Sequence, residues 1–109
     1  MSGAKSRRKG RAWENTVTAW LRNNGFPSVE RNEYLNAQAG DILGIPGWSL
    51  ECKNGARIEL AAWTDQAATQ AETAGAEHYA VIAKRKGTTD AGKAYVVMPL
   101  EVFAAWMTE

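Results

Sequence analysis

Hydrophobic positions in this chain follow first a helical period and then a strand period, separated by short turn signals. Between Arg11 and Asn24 the apolar residues Trp13, Val17, Trp20 and Leu21 recur at helical spacing. Asn23-Asn24-Gly25, with Pro27 just beyond, supplies the stop. Ser28 to Leu35 alternates loosely, as an edge strand does. Asp41–Ile45 and Trp48–Lys53 then flank Pro46-Gly47, a pair suited to a tight turn, so the spacing predicts a hairpin. With Ile45 opposite Trp48, Asp41 falls opposite Cys52. Leu60 to Ala76 is alanine-rich and helical, ending at Gly75. Tyr79–Ala83 is a continuous apolar run, expected of a strand covered on both faces. The polar loop Lys84–Lys93 leads to a last strand, Tyr95–Met98. Pro99 then opens a short helix carrying Leu100, Phe103, Ala104 and Met107.

The order helix, three strands, helix, strand, strand, helix predicts an α/β fold with a mixed sheet of about five strands flanked by helices. The crossover from the 48–53 strand through the alanine-rich helix to the 79–83 strand is expected to be parallel and right-handed. At 109 residues the chain is one domain, with no internal repeat and no linker. No apolar run approaches the roughly 18 residues of a membrane span. The five tryptophans sit mostly at core spacings.

Charge adds an asymmetry. Lys5, Arg7, Arg8, Lys9 and Arg11 crowd the first eleven residues without an acid, while the remaining 8 of 13 basic residues face all 12 acidic ones. Residues 1–10 are expected to form a basic, disordered arm, with the folded domain spanning 11–109. Such an arm either reaches a polyanion or simply solubilises the chain. No apolar segment follows the basic start, so no secretory signal is expected. The single cysteine makes no internal disulfide, and no Cys/His cluster offers a zinc site. A reducing cytoplasm is the expected compartment.

Candidate chemistry gathers at the hairpin. Glu51 and Lys53 point to one face of their strand, Leu50 and Cys52 to the other, and Asp41 arrives from the neighbouring strand. Two converging carboxylates repel unless a cation joins them, and oxygen donors suit Mg²⁺ or Mn²⁺. The backbone carbonyl of Cys52 is a further candidate ligand. A lysine ammonium beside the site opposes charge developing on a phosphate, and together these groups describe phosphodiester hydrolysis. Glu-x-Lys alternating with Leu and Cys also describes any half-exposed strand, and Asp41 any turn residue. Glu14 adds weight: it precedes Val17 and Leu21 by 3 and 7 residues and so lies on the shoulder of the apolar helix face. As an acid early in a helix it also complements the helix dipole.

Taken in order, Glu14 on the first helix, Asp41, Glu51-x-Lys53, an alanine-rich helix and a buried strand resemble the PD-(D/E)XK nuclease superfamily. The short, basic-started chain is most similar to Holliday junction resolvases of the archaeal and phage type. The resemblance spans roughly residues 10 to 98 and implies a restriction-endonuclease-like core. By position it implies that Asp41 and Glu51 are metal ligands, Lys53 the catalytic lysine, and Glu14 an acid completing the site directly or through water. It also implies a glutamine on the following helix, Gln66 in preference to Gln70. Gly40 stands where the family has its proline. The resemblance further implies a Mg²⁺- or Mn²⁺-dependent endonuclease of four-way or otherwise branched DNA, working as a homodimer because two symmetric cuts need two sites. Other nicking or repair endonucleases share the pattern. A non-catalytic DNA-binding module and an adaptor for an acidic protein partner remain alternatives.

Arg57, Lys84, Arg85 and Lys86, with the basic arm, are then candidate phosphate contacts; otherwise they are solvated loop residues. Gly87 to Ala94 matches a phosphate loop except at its last position, which lacks the required hydroxyl, and a strand follows where a helix is needed. That motif is rejected. His78 and the Cys52 thiol are read as structural.

Overall fold

Ala4, Lys5, Arg7, Arg8 and Lys9 are good helix formers, and a helix already nucleated by packed turns extends through them easily. In the computed structural model, which describes residues 2–33 and 40–109, the first helix, α1, accordingly runs Ser2–Asn23. The expectation of a disordered arm over 1–10 and a fold beginning at residue 11 is corrected to that extent. Gly10 lies inside the helix and leaves open space where a Cβ would stand. The side chain of Lys5 lies outside the described residues; Arg7, Arg8, Lys9 and Arg11 are exposed.

After Gly25, at φ +112°, the chain forms β1 (Glu30–Arg31), β2 (Ile42–Leu43), β3 (Trp48–Lys53), α2 (Leu60–Ala74), β4 (His78–Ala83), β5 (Tyr95–Val97) and α3 (Leu100–Met107). A single 3-10 turn, Ala91–Lys93, precedes β5. The edge strand expected over 28–35 is reduced to two residues, and its residues 34 and 35 lie outside the described part. Strand order is β1-β2-β3-β4-β5, parallel between β3 and β4 and antiparallel elsewhere. The fold is α/β, a mixed five-stranded sheet flanked by three helices. No helix of the described residues is long and apolar enough to cross a membrane.

The hairpin register differs from expectation by one residue. Ile42 pairs with Leu50, whereas an uninterrupted ladder from Ile45–Trp48 puts it opposite Glu51. The turn itself closes as expected, Trp48 N donating to Ile45 O at 3.1 Å with Gly47 at φ +82°. The extra residue is taken up at Gly44, whose φ of +106° marks a bulge on the first strand. A Cβ there would stand 2.7 Å from Ser28 O, so the close approach of the Ser28 backbone also requires glycine.

The sheet carries one core on each face. On one, Trp13 and Val17 of α1 pack with Val29, Ile42, Leu50 and Ala80. On the other, Trp63 and Ala67 of α2 pack with Val81 and Ala83. The small side chains of α2 bring it close to the strands: Ala67 is wholly buried. Trp13, Trp63 and the half-buried Trp48 join the core, but Trp20 and Trp106 are more than a third exposed. Trp20 lies over the loop before β5, where a Cβ on Gly92 would come within 2.9 Å of its indole nitrogen.

Candidate active site

The site is built where α1, β2 and β3 meet. The Trp13 indole donates to Ile82 O at 3.1 Å and fastens α1 to β4. This fixes the turn of helix that carries Glu14. Asp41 is held on three sides: its N–H donates to Leu50 O at 2.8 Å, its carbonyl accepts from Asn32 N–H at 2.9 Å, and its Oδ2 accepts from Cys52 N–H at 2.8 Å. Asn32, buried, also donates from Nδ2 to Gly40 O at 3.0 Å. The Gly40–Asp41 segment is therefore clamped between β1 and β3. Gly40 itself is buried, and a Cβ there would stand 2.6 Å from Leu50 O and 2.8 Å from Ser49 Oγ. A side chain at this position, proline included, has no room in this backbone.

Glu51 is only 4% exposed. Burial raises its pKa first, the Asp41 charge next, then a hydrogen bond to Asp41, and Glu14 adds to these; Lys53 opposes them, leaving Glu51 at about 8. Glu51 therefore holds its proton well above the ordinary carboxylate range, hydrogen-bonded to Asp41. Glu14 is raised too, by burial and then by Asp41, against Arg31 and Arg11. Its Oε1 lies 3.8 Å from Arg31 Nη1. Burial, followed by Asp41, Glu14 and Glu51, raises the Cys52 thiol strongly, so it stays protonated and unreactive. Asp41, just before β2, thus raises both Glu51 on β3 and Glu14 on α1, and Glu14 adds to the rise of Glu51.

Lys53 Nζ donates to Gln66 Oε1 at 2.7 Å, so of the two glutamines it is Gln66 that meets the lysine. The Gln70 carbonyl oxygen, a turn further along α2, is buried without a hydrogen-bond partner. A cavity of about 440 Å³ lies beside Lys53, lined also by Gly10, Arg57 and Trp63. An adjoining one of about 230 Å³ shares Lys53 and is lined by Lys84, Arg85 and Lys86. Lys86 Nζ donates to Ala56 O at 2.8 Å, tying the loop after β4 to the loop before α2. Four of the nine candidate phosphate contacts therefore frame Lys53. Arg7, Arg8, Lys9 and Arg11 of α1 line neither of these two cavities.

The donor set of Asp41 and Glu51 is all oxygen and in hydrogen-bond contact, and this fits a hard divalent ion. Glu14 stands further off: the carboxylates of Glu14, Asp41 and Glu51 do not all come within 4.8 Å of one another. Among the described residues that spacing is met by Glu77, His78 and Glu109. There His78 Nε2 contacts Glu109 Oε1, and the ring lies 4.9 Å from that of Trp48. This group sits five residues back along β4 from Ala83, the partner of Lys53, roughly 16 Å away at strand rise.

Two residues at the site escape sequence reasoning. Arg31 and Asn32 fall in the stretch 28–35, which the sequence marks only as an edge strand. Neither carries a spacing signal: Arg31 meets Glu14 on α1, and Asn32 meets the Gly40–Asp41 backbone across an irregular stretch. No protein-family model matches this chain, no curated protein matches it, and no solved structure matches its fold.

Proposed function

We propose that this protein is a metal-dependent DNA endonuclease of the PD-(D/E)XK type, with the restriction-endonuclease-like core that implies. The observation that carries the reading is the placement of Lys53. It stands at the end of β3 beside the hydrogen-bonded Asp41–Glu51 pair, bonded to Gln66, within a frame of Arg57, Lys84, Arg85 and Lys86. Asp41 and Glu51 would hold a Mg²⁺ or Mn²⁺ ion, with the Cys52 carbonyl next to them and Glu14 reached through water. Such an ion supplies Lewis-acid polarisation of the phosphate and acidifies bound water.

The chain's own residues do the rest. Asp41 keeps its orientation through the Cys52 amide, which leaves its second oxygen for a ligand. Lys53, positioned by Gln66, sets a positive charge against the oxygen on which charge develops; at about 4 Å this contributes roughly 4 kcal/mol at an effective dielectric near 20. Arg57, Lys84, Arg85 and Lys86 hold phosphates flanking the scissile one. Arg7, Arg8, Lys9 and Arg11 on α1, with Lys5, would meet the duplex further out.

Branched DNA, four-way junctions above all, is the substrate the resemblance favours. Two copies would make the paired cuts, in the cytoplasm. The test is cleavage of a labelled junction beside its linear duplex with Mg²⁺, Mn²⁺ or EDTA, for wild type and Lys53→Ala. Paired, metal-dependent nicks in the junction alone are expected, lost in the variant. Cleavage of both substrates points instead to a nicking or repair endonuclease. No cleavage with either metal refutes the enzyme and favours a DNA-binding module.

A further inference from the structure

An apolar groove of about 920 Å³ between the end of α1 and α3 is lined by no charged residue among those described, so a polyanion finds no counter-charge there. The cavity of about 230 Å³ beside Lys53 differs in kind. Its described lining holds Lys53, Lys84, Arg85 and Lys86 and no acid. The opposing wall is apolar, with Ile58 66% and Tyr95 49% exposed. None of the ring contacts among the described residues involves Tyr95. The strand ladder explains the shape. Ala83 pairs with Lys53 on one side and with Tyr95 on the other, so the three form a row across β3, β4 and β5. Residues in register share a sheet face, here the one packed by α2, since Ala83 and Val97 belong to that core. Two strand spacings, about 10 Å, separate Lys53 from Tyr95, and the methyl of Ala83 leaves the space between their side chains open.

Contacts to phosphate and sugar need charge and polar groups alone. The backbone of a paired duplex therefore has nothing to set against an exposed isoleucine and an open tyrosine ring. An unpaired base has: each base carries a π-face, and sites for single strands place aromatic rings beside a cationic track. The volume agrees, lying below the ~300–1,000 Å³ of pockets for drug-sized ligands and so on the scale of one base. We infer that this cavity takes the base of one unpaired nucleotide adjoining the phosphate at Lys53. The base stacks on Tyr95 with Ile58 against its edge, and Lys84 and Arg85 meet the backbone that carries it. The preferred substrate is accordingly DNA with an unpaired nucleotide at the cut, such as a flap, a gap or an opened branch point, over DNA paired throughout. The inference rests on the nuclease reading for the place of the cleaved phosphate, while the stacking site rests on the Lys53–Ala83–Tyr95 row.

The experiment uses the full chain in EDTA with two branched DNAs that differ only in whether one nucleotide at the branch point is paired. That nucleotide carries 5-iodouracil, which on irradiation crosslinks to an aromatic ring stacked on it. Anisotropy gives the two affinities, and mass spectrometry of the digested adduct gives the crosslinked residue. Wild type is expected to bind the unpaired form about tenfold more tightly and to crosslink through Tyr95. Tyr95→Ala should abolish both the preference and that adduct, whereas Tyr95→Phe keeps them. Should Tyr95→Ala lose its fold, Ile58→Ser, in the loop before α2, is read for loss of the preference. Equal wild-type affinities without a Tyr95 adduct overturn the inference, as does a preference that survives in folded Tyr95→Ala. Metal-dependent cleavage alongside either of those results leaves the nuclease reading standing alone. A Tyr95 adduct and a preference in a protein that cleaves with neither Mg²⁺ nor Mn²⁺ support the base site and remove the nuclease. Failure to bind either DNA overturns both.

Discussion

Glu51 titrates near 4.5 in an unfolded chain and near 8 in the folded one, because the fold buries it against Asp41. Between those values the native state holds a proton that the unfolded state has released. Stability of the metal-free protein therefore falls as pH rises from about 4.5 to about 8, and the penalty is fully present above that window. Glu51→Gln keeps the shape and a donor toward Asp41 but removes the titration. It is expected to melt higher than wild type at pH 8 by several degrees, on the order of 2–3 kcal/mol, with the gap closing below pH 5. Cleavage is expected to disappear in the same variant. Mn²⁺ added at pH 8 should raise the melting temperature of wild type far more than that of Glu51→Gln; equal shifts in the two would remove Glu51 from the metal site. Gly40 carries a further expectation at this scale. With Leu50 O 2.6 Å from an added Cβ, Gly40→Ala is expected to lose about 1–3 kcal/mol in urea unfolding. Unchanged stability would show that the Gly40–Asp41 segment is not clamped.

Elements were legible where one period held for several turns or strands. α2 ends at Ala74 with Gly75 in the left-handed cap, and β4 begins one residue ahead of its apolar run. The hairpin was legible as a hairpin but not in register, since the bulge at Gly44 is set by the backbone of Ser28, which packs on it from outside. Yet the same chemical groups converge, because the Asp41 carboxylate reaches the Cys52 amide from the shifted position. Likewise the first helix carries no signal that distinguishes a basic tail from a basic helix; Trp13 packing beneath it decides, and the turns before follow. Glu14, Asp41, Glu51 and Lys53 were legible as an ordered set, whereas Arg31 and Asn32 became visible only with the fold. The element that joins core to site is α2. Ala67 is wholly buried one residue after Gln66, so Ala67→Leu should push the helix off β4. A loss of about 1–3 kcal/mol is expected, with lowered cleavage as Gln66 withdraws from Lys53. Full activity in that variant would make the Gln66 contact dispensable.

At the scale of the molecule the near-neutral charge conceals a division of surfaces. The apolar groove carries no charge among its described lining residues, while Lys53, Arg57, Lys84, Arg85 and Lys86 collect around the two cavities at the far end of β3. Lys86 is committed to Ala56 O, so its loss would disturb the loop as well as the field. Arg57 and Arg85 are exposed, and no hydrogen bond or salt bridge is found for either among the described residues, which makes them the cleaner probes. If each meets one phosphate, Arg57→Ala with Arg85→Ala should flatten the log–log dependence of junction affinity on salt by about 1.8, at about 0.9 per phosphate. Melting temperature should stay within a degree or two of wild type, because exposed substitutions of this kind change stability by about 0.5 kcal/mol or less. Fluorescence anisotropy on a labelled junction from low to physiological salt, in EDTA to prevent cleavage, measures the slope directly. A slope equal to that of wild type, in a variant that melts normally, would take the loops at the end of β3 out of the DNA path. It would leave the cations of α1 to carry binding, so that DNA approached Lys53 along the helix and not across the frame.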